Sequence, residues 1–178
     1  MDARRIVVTA VDGDGRSVFA DDTEIEALTL AASPGSGFYR LWGWDGPATA
    51  PNDGARPDGH TFFPPNQGAR WLITVFPPDD AAPGGEIDME AALAEAEEKM
   101  PDTGRWMEPD EPGMHTTETI DFGLVLDGEV ELELDDGAKV HLRPGDGVVQ
   151  NGTRHAWRNP FGRPCTMAFV LIGADRAG

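Results

Sequence analysis

The most regular passage of the chain is Glu129-Val130-Glu131-Leu132-Glu133-Leu134, where charged and apolar residues alternate with period two, the pattern of a half-buried β-strand. Lys139-Val140-His141-Leu142-Arg143 repeats it after Asp135, Asp136 and Gly137. A three-residue loop with Gly137 in the left-handed conformation pairs Leu134 with Ala138, Leu132 with Val140 and Val130 with Leu142, so every apolar side chain lies on one face. The other face then sets Glu133 against Lys139 and Glu131 against His141, which predicts a surface ion pair for His141. A two-residue loop would oppose Leu134 to Lys139 and mix the faces.

From Thr119 onward, short apolar runs alternate with turns at roughly 8 to 12 residue spacing, the habit of sandwiches and small barrels. Earlier in the chain, residues 6–11 and 17–19 flank Asp12-Gly13-Asp14-Gly15 and predict a hairpin. Residues 37–44 and 70–76 read as strands separated by a loop carrying Pro51, Pro57, Pro64 and Pro65, each of which lacks a backbone donor. Residues 88–99, rich in Ala, Glu, Leu and Met and closed by Pro101, predict the one helix. The acidic, proline-containing stretch 102–113 reads as a surface connection. The expected class is all-β, an antiparallel barrel of two packed sheets. Residues 1–113 form an extension of strands, loops and one short helix that packs on it without being an independent domain, and residues 114–178 form its most regular part.

Composition narrows the partners. The 14 Lys and Arg against 32 Asp and Glu give 14 − 32 = −18, with no basic cluster that could neutralise phosphates. Nucleic acid and anionic membrane are therefore excluded as expected partners. No run approaches the roughly 20 apolar residues of a membrane span, and no secretory h-region is visible. A single cysteine, Cys165, fits a reducing compartment and reads as a small buried hydrophobe. The chain is expected to be cytoplasmic. No Gly-x-Ser-x-Gly elbow, phosphate loop or dinucleotide fingerprint is present, so covalent hydrolase, kinase and Rossmann chemistry drop out.

Two segments carry candidate chemistry. In the first, His115, Thr117 and Asp121 share parity on an extended chain and project to one side, continued by Val125, while Glu118 points the other way. In the second, Pro144-Gly145 is followed by His155 and Asn159, with Trp157 on the same parity as His155. Their spacings resemble the two motifs of the cupin family. His115 takes the place of the first motif's first His, Thr117 of its second His, Asp121 of its Glu and Gly128 of its closing Gly. Pro144, Gly145, His155 and Asn159 match the second motif. The resemblance covers roughly residues 114–174 and implies a jelly-roll barrel, an antiparallel double-stranded β-helix with a single cupin motif pair. In the family, two His, a Glu and a further His hold a divalent metal inside the barrel. This chain departs at two of those four positions, Thr117 and Asp121.

Two readings follow. Two imidazoles and a carboxylate, from His115, Asp121 and His155, are the donor set of non-haem iron and catalytic zinc sites, and would hold Fe, Mn or Zn for oxygenase, lyase or isomerase chemistry. Alternatively, His115, Thr117, Asp121, His155 and Trp157 line a metal-free pocket that hydrogen-bonds a small organic, flat and apolar ligand. His60, before Phe62 and Phe63, is a candidate for the pocket mouth. The resemblance also implies pairing into a homodimer, and the outward Ile120, Phe122 and Leu124 against inward Val125 are consistent with a covered outer face.

A net charge of −18 on one small domain opposes the compact state, and salt screens that repulsion. Raising ionic strength from about 0.01 M to about 0.5 M, which shortens the Debye length from about 30 Å to a few ångströms, is expected to raise the melting temperature. A flat or falling series by calorimetry would show the acidic residues to be compensated already.

Overall fold

The alternation read from the sequence does form strands. The computed structural model describes residues 1–56, 61–81 and 88–176. Strands β1 (Arg4–Val11) and β2 (Ser17–Ile25) form a separate antiparallel hairpin. In its turn the Asp12 carboxylate accepts from the Asp14 and Arg16 amides at 2.9 Å. Strands β3 (Leu28–Leu30), β4 (Ser33–Trp44) and β5 (Ala69–Phe76) lead into helix α1 (Met89–Lys99). Then follow β6 (Thr119–Asp127), β7 (Val130–Glu133), β8 (Lys139–Leu142), β9 (Gly147–Asn151), β10 (Ala156–Arg158) and β11 (Cys165–Gly173).

Two antiparallel sheets make the barrel. One has the order β3-β4-β5-β11-β6-β9 and the other β10-β7-β8. β11 pairs with β5 on one side and β6 on the other, so hydrogen bonds run unbroken from the N-terminal strands into the motif region. Between the sheets lie Leu72, Val125, Val130, Leu132, Leu142, Met167, Phe169 and Leu171, all buried. Cys165 is fully enclosed, and burial pushes its thiol up to about 11. A second, smaller core of Ile6, Tyr39, Leu41 and Val75 lies under the β1–β2 hairpin.

The β7–β8 register is the one expected: Val130 opposes Leu142, Glu131 opposes His141, Leu132 opposes Val140 and Glu133 opposes Lys139. The loop closes with Ala138 donating to the Asp135 carbonyl and needs left-handed backbone at both Asp136 and Gly137. Burial fades toward this turn and toward the sheet edge: Val130 and Leu132 on central β7 are enclosed, while Val140 on edge strand β8 is half exposed. The expected partner of His141 is corrected. Its Nε2 meets Glu129 at 2.8 Å and its ring stacks on Phe161, while Lys139 takes Glu131.

Helix α1 starts where expected because Asp88 caps it, accepting from the Glu90 and Ala91 amides. At its other end Lys99 bonds the Thr29 carbonyl and Glu95, tying the helix to β3. Among the described residues no helix is long and apolar enough to cross a membrane.

The closing Gly of the first motif is required twice. Gly128 has φ +80°, and a Cβ there would lie 2.4 Å from the Pro164 carbonyl oxygen and 2.6 Å from Cys165 Cα. Gly137, at φ +71°, has open space around it. Gly128→Ala is therefore expected to cost roughly 2–4 kcal/mol and Gly137→Ala only about 1–2 kcal/mol. Leu132→Asp, which puts a charge into the core, should cost at least roughly 3 kcal/mol. Urea unfolding checks all three; equal losses for the two glycines would refute the steric account, and a stable Leu132→Asp protein the facing assignment.

Candidate functional site

Residues 115 and 155 are held together by the backbone. The His115 amide donates to the His155 carbonyl and the His155 amide to the His115 carbonyl, each at 2.9 Å, the narrow reciprocal pair of an antiparallel bridge. The imidazoles therefore lie side by side, with ring centroids 4.1 Å apart. Each Nδ1 is 3.0 Å from a backbone carbonyl, that of Gly113 for His115 and Thr153 for His155. A carbonyl cannot donate, so Nδ1 carries the proton in both rings, and each neutral ring keeps its Nε2 lone pair for something else.

Burial keeps the pair neutral. Removal from water pushes His155 down to about 4, aided by the neighbouring His115 and only partly opposed by the Thr153 carbonyl. His115 is also lowered, chiefly by burial.

Thr117, Thr119 and Asp121 all face inward and are almost completely buried, as their shared parity predicts, while Glu118 is exposed. Thr117 and Thr119 satisfy each other through their hydroxyls at 2.8 Å. Asp121 is left with a buried Oδ1 that has no hydrogen-bond partner. Burial pushes its carboxyl up to about 6, a shift that the Thr119 hydroxyl only partly offsets.

The donor set expected for a metal is only partly assembled. His115 and His155 are together, but among the described residues no group of three or more His, Cys, Asp or Glu side chains is gathered closely enough to hold an ion. Asp121 lies further along β6, opposite Leu171 and Gln150. Trp157 does join the pair, its ring edge-on to His155 at 5.9 Å, and it also lines a cavity of about 250 Å³ with Phe76, Asp79 and Asn159. A second cavity, of about 580 Å³, opens beside Arg154 and the β7–β8 turn. Asn159 is a fastener: its side chain donates to the Phe76 and Arg163 carbonyls and accepts from the Phe161 amide.

The pattern did not reveal the walls. Phe63 lies 6.4 Å from the His115 ring and meets Trp106 edge-on at 6.3 Å. Residues 102–113, expected to be mere surface connection, form one side of the site. Met107 bridges to His115, and Thr116 donates to the Trp106 carbonyl. Arg154 bolts this segment down, reaching Glu108 at 2.7 Å, Glu111 at 2.6 Å and Asp135 at 2.9 Å. An acidic stretch followed 40 residues later by one Arg beside a motif His was the available signal. Phe62 and Phe63 enter the barrel because the buried Arg70 guanidinium holds the Thr61 carbonyl. His60 lies outside the described residues.

The cupin-domain family model matches residues 105–172, the stretch that holds this pair, the inward face of β6 and both motif turns. Residues 105–172 therefore make up a cupin domain. Phomopsin biosynthesis cluster protein D of Diaporthe leptostromiformis is 59% identical over 65 residues, 34% of this cupin and 33% of that protein. The cupin-domain-containing oxidoreductase fogC of Aspergillus ruber (strain CBS 135680) is 38% identical over 68 residues, 36% and 34% of the two chains. The cupin thus spans about a third of the length of these relatives. The solved cupin domain of Schizosaccharomyces pombe Cnp3 has a TM-score of 0.47 at 7% identity, covering 95% of this chain and 87% of that one.

Asp121 and His155 pull stability in opposite directions with pH. Asp121, raised from 3.8 to about 6, contributes stability that is complete below pH 3.8 and lost as pH rises through 6. His155, lowered from 6.5 to about 4, contributes stability that is complete above pH 6.5 and lost as pH falls through 4. Each is on the order of 3 kcal/mol, so the two nearly cancel between pH 4 and 6. Relative to the unaltered protein, Asp121→Asn is expected to gain melting temperature as pH rises from 4 to 6.5, and His155→Gln to lose it. Parallel curves for all three proteins would show that neither group is desolvated as described.

Proposed function

We propose that this cupin binds a small organic molecule carrying a polar hydrogen and a flat apolar body, and that the His115–His155 pair is its anchor. The observation that carries this is the fixed tautomer of both rings: with Nδ1–H held by backbone carbonyls, two neutral Nε2 atoms stand side by side as acceptors. A ligand O–H or N–H donates to Nε2 of His155, while Phe63 and Trp157 present ring surface to its body. Asp121 Oδ1 is a second unpartnered buried polar atom, an acceptor when ionised and a donor below pH about 6. The biosynthesis-cluster and oxidoreductase names of the relatives support a small-molecule substrate.

A second reading has a specific observation in its favour. An imidazole whose Nδ1–H is held by a backbone carbonyl is also the arrangement of a metal-ligating His. A divalent metal on His115 and His155 would act as a Lewis acid toward a bound substrate. The residues as placed do not complete that set, because Asp121 stands apart and Thr117 is engaged with Thr119, so no step is routed through a metal.

The test uses 4-fluorophenol as probe, followed by fluorine NMR on the full chain, with elemental analysis of the same preparation. Binding that weakens about tenfold in His155→Leu, the loss of one well-made hydrogen bond, is the expected result. Binding that ignores the substitution refutes the anchor. A stoichiometric divalent metal released by His155→Ala, or gained by Thr117→His, replaces the first reading with the second.

A further inference from the structure

Along β10 and its flanks the chain presents His155, Trp157 and Asn159 in turn on one side, because alternate residues of a strand share a face. Trp157 and Asn159 line the cavity of about 250 Å³, together with Pro34, Phe76, Pro77 and Pro78. Among the described residues, neither His115, His155 nor Phe63 reaches its wall. Trp157 belongs to both sides. It lines the cavity, and its ring meets that of His155 at 87° with the centroids 5.9 Å apart. Perpendicular rings at that spacing are in contact and leave no room for a third group between them. The thickness of one indole therefore separates the cavity from the His pair.

This indole is a wall rather than a gate. Its backbone is paired with Leu132 on β7. Its ring is braced by Phe76 at 5.7 Å and Phe169 at 5.5 Å as well as by His155. Swinging it aside would displace rings that belong to the barrel core or pack on it, and close-packed interiors resist such shifts.

The lining says what could lie beyond the wall. Pro34, Pro77, Pro78, Phe76 and Trp157 are rigid rings. The polar side chains beside them are engaged with the protein: the Ser33 and Ser36 hydroxyls bond to each other, Asp79 accepts from the Asn159 amide at 2.8 Å, and Asn159 holds the Phe76 and Arg163 carbonyls. Such a chamber offers contact area to a flat apolar group. Its volume exceeds the roughly 150 Å³ that accommodates benzene in an engineered protein cavity, so an aromatic ring fits.

We propose that Trp157 is the specificity-determining residue of the His-pair site. Its indole stops a ligand anchored on His155 after one aromatic ring, and the cavity behind it is the space that a second, fused ring would need. The inference rests on His155 being the anchor, as proposed above.

Fluorine NMR titrations of the full chain with 4-fluorophenol and 6-fluoro-2-naphthol test it, the quantity read being the ratio of the two Kd values. Trp157→Ala should weaken the phenol, which loses a ring contact, and tighten the naphthol, moving the ratio at least about tenfold toward the naphthol. Trp157→Phe, which keeps a smaller ring in the wall and so protects the fold, should move it about threefold the same way. A crystal structure of the Trp157→Ala protein with the naphthol should show its hydroxyl on His155 Nε2 and its second ring against Phe76. A ratio unmoved in the folded variants, or a second ring seated elsewhere, overturns the inference, while phenol binding that is lost in His155→Leu still upholds the anchor. Phenol binding indifferent to His155→Leu, or absent from the unaltered protein, overturns both.

Discussion

The two hydrogen bonds between the backbones of His115 and His155 hold the site together. His115 precedes β6, in the larger sheet, and His155 immediately precedes β10, in the smaller one. Their bridge therefore stitches the two sheets where no named strand connects them. The imidazoles are a consequence of that seam: two residues that exchange both amide bonds cannot place their side chains far apart. The ion-pair cluster around Arg154, next in chain to His155, presses residues 108–111 against the same seam from outside. Each exposed pair alone contributes little, but three carboxylates on one guanidinium fix a segment that has almost no regular structure of its own.

What the sequence made legible was whatever depends on local periodicity. Parity along 115–125 placed Thr117, Asp121 and Val125 inside and Glu118 outside, and the matching of charged and apolar faces chose the β7–β8 register. Motif spacing brought His155 to His115. The shortfall lies in what depends on distance between elements. Parity says that Asp121 and His115 share a side; it does not say that six residues of strand, rising about 3.3 Å each, separate them along the barrel. Phe62, Phe63 and Trp106 were illegible as site walls because their segments are loops, positioned by Arg70 and Arg154 through contacts that no short-range pattern encodes. A buried guanidinium bonded to three backbone carbonyls is a long-range clasp with no local signature.

The chemistry of the interior follows from desolvation more than from charge. Burial drives the Asp121 carboxyl toward its protonated form and the two imidazoles toward their unprotonated form, so the site moves toward neutrality from both sides. Below about pH 6, where Asp121 is protonated and the two imidazoles stay largely neutral, such a lining favours uncharged hydrogen-bonding groups over ions, because a charged ligand would lose its hydration without gaining a counter-ion. Almost all of the chain's negative charge stays on the surface, where water carries it.

Strand β6 joins these two worlds. Its inward residues Thr119, Asp121, Gly123 and Val125 line the barrel, and its outward residues Ile120, Phe122 and Leu124 make the bare face. With a side-chain period of exactly two, a slip of one residue would turn Asp121 to solvent and Phe122 into the core, so both surfaces constrain the same register. Gly123 adds a steric reason for that register, since a Cβ there would meet the Phe169 ring at 2.9 Å.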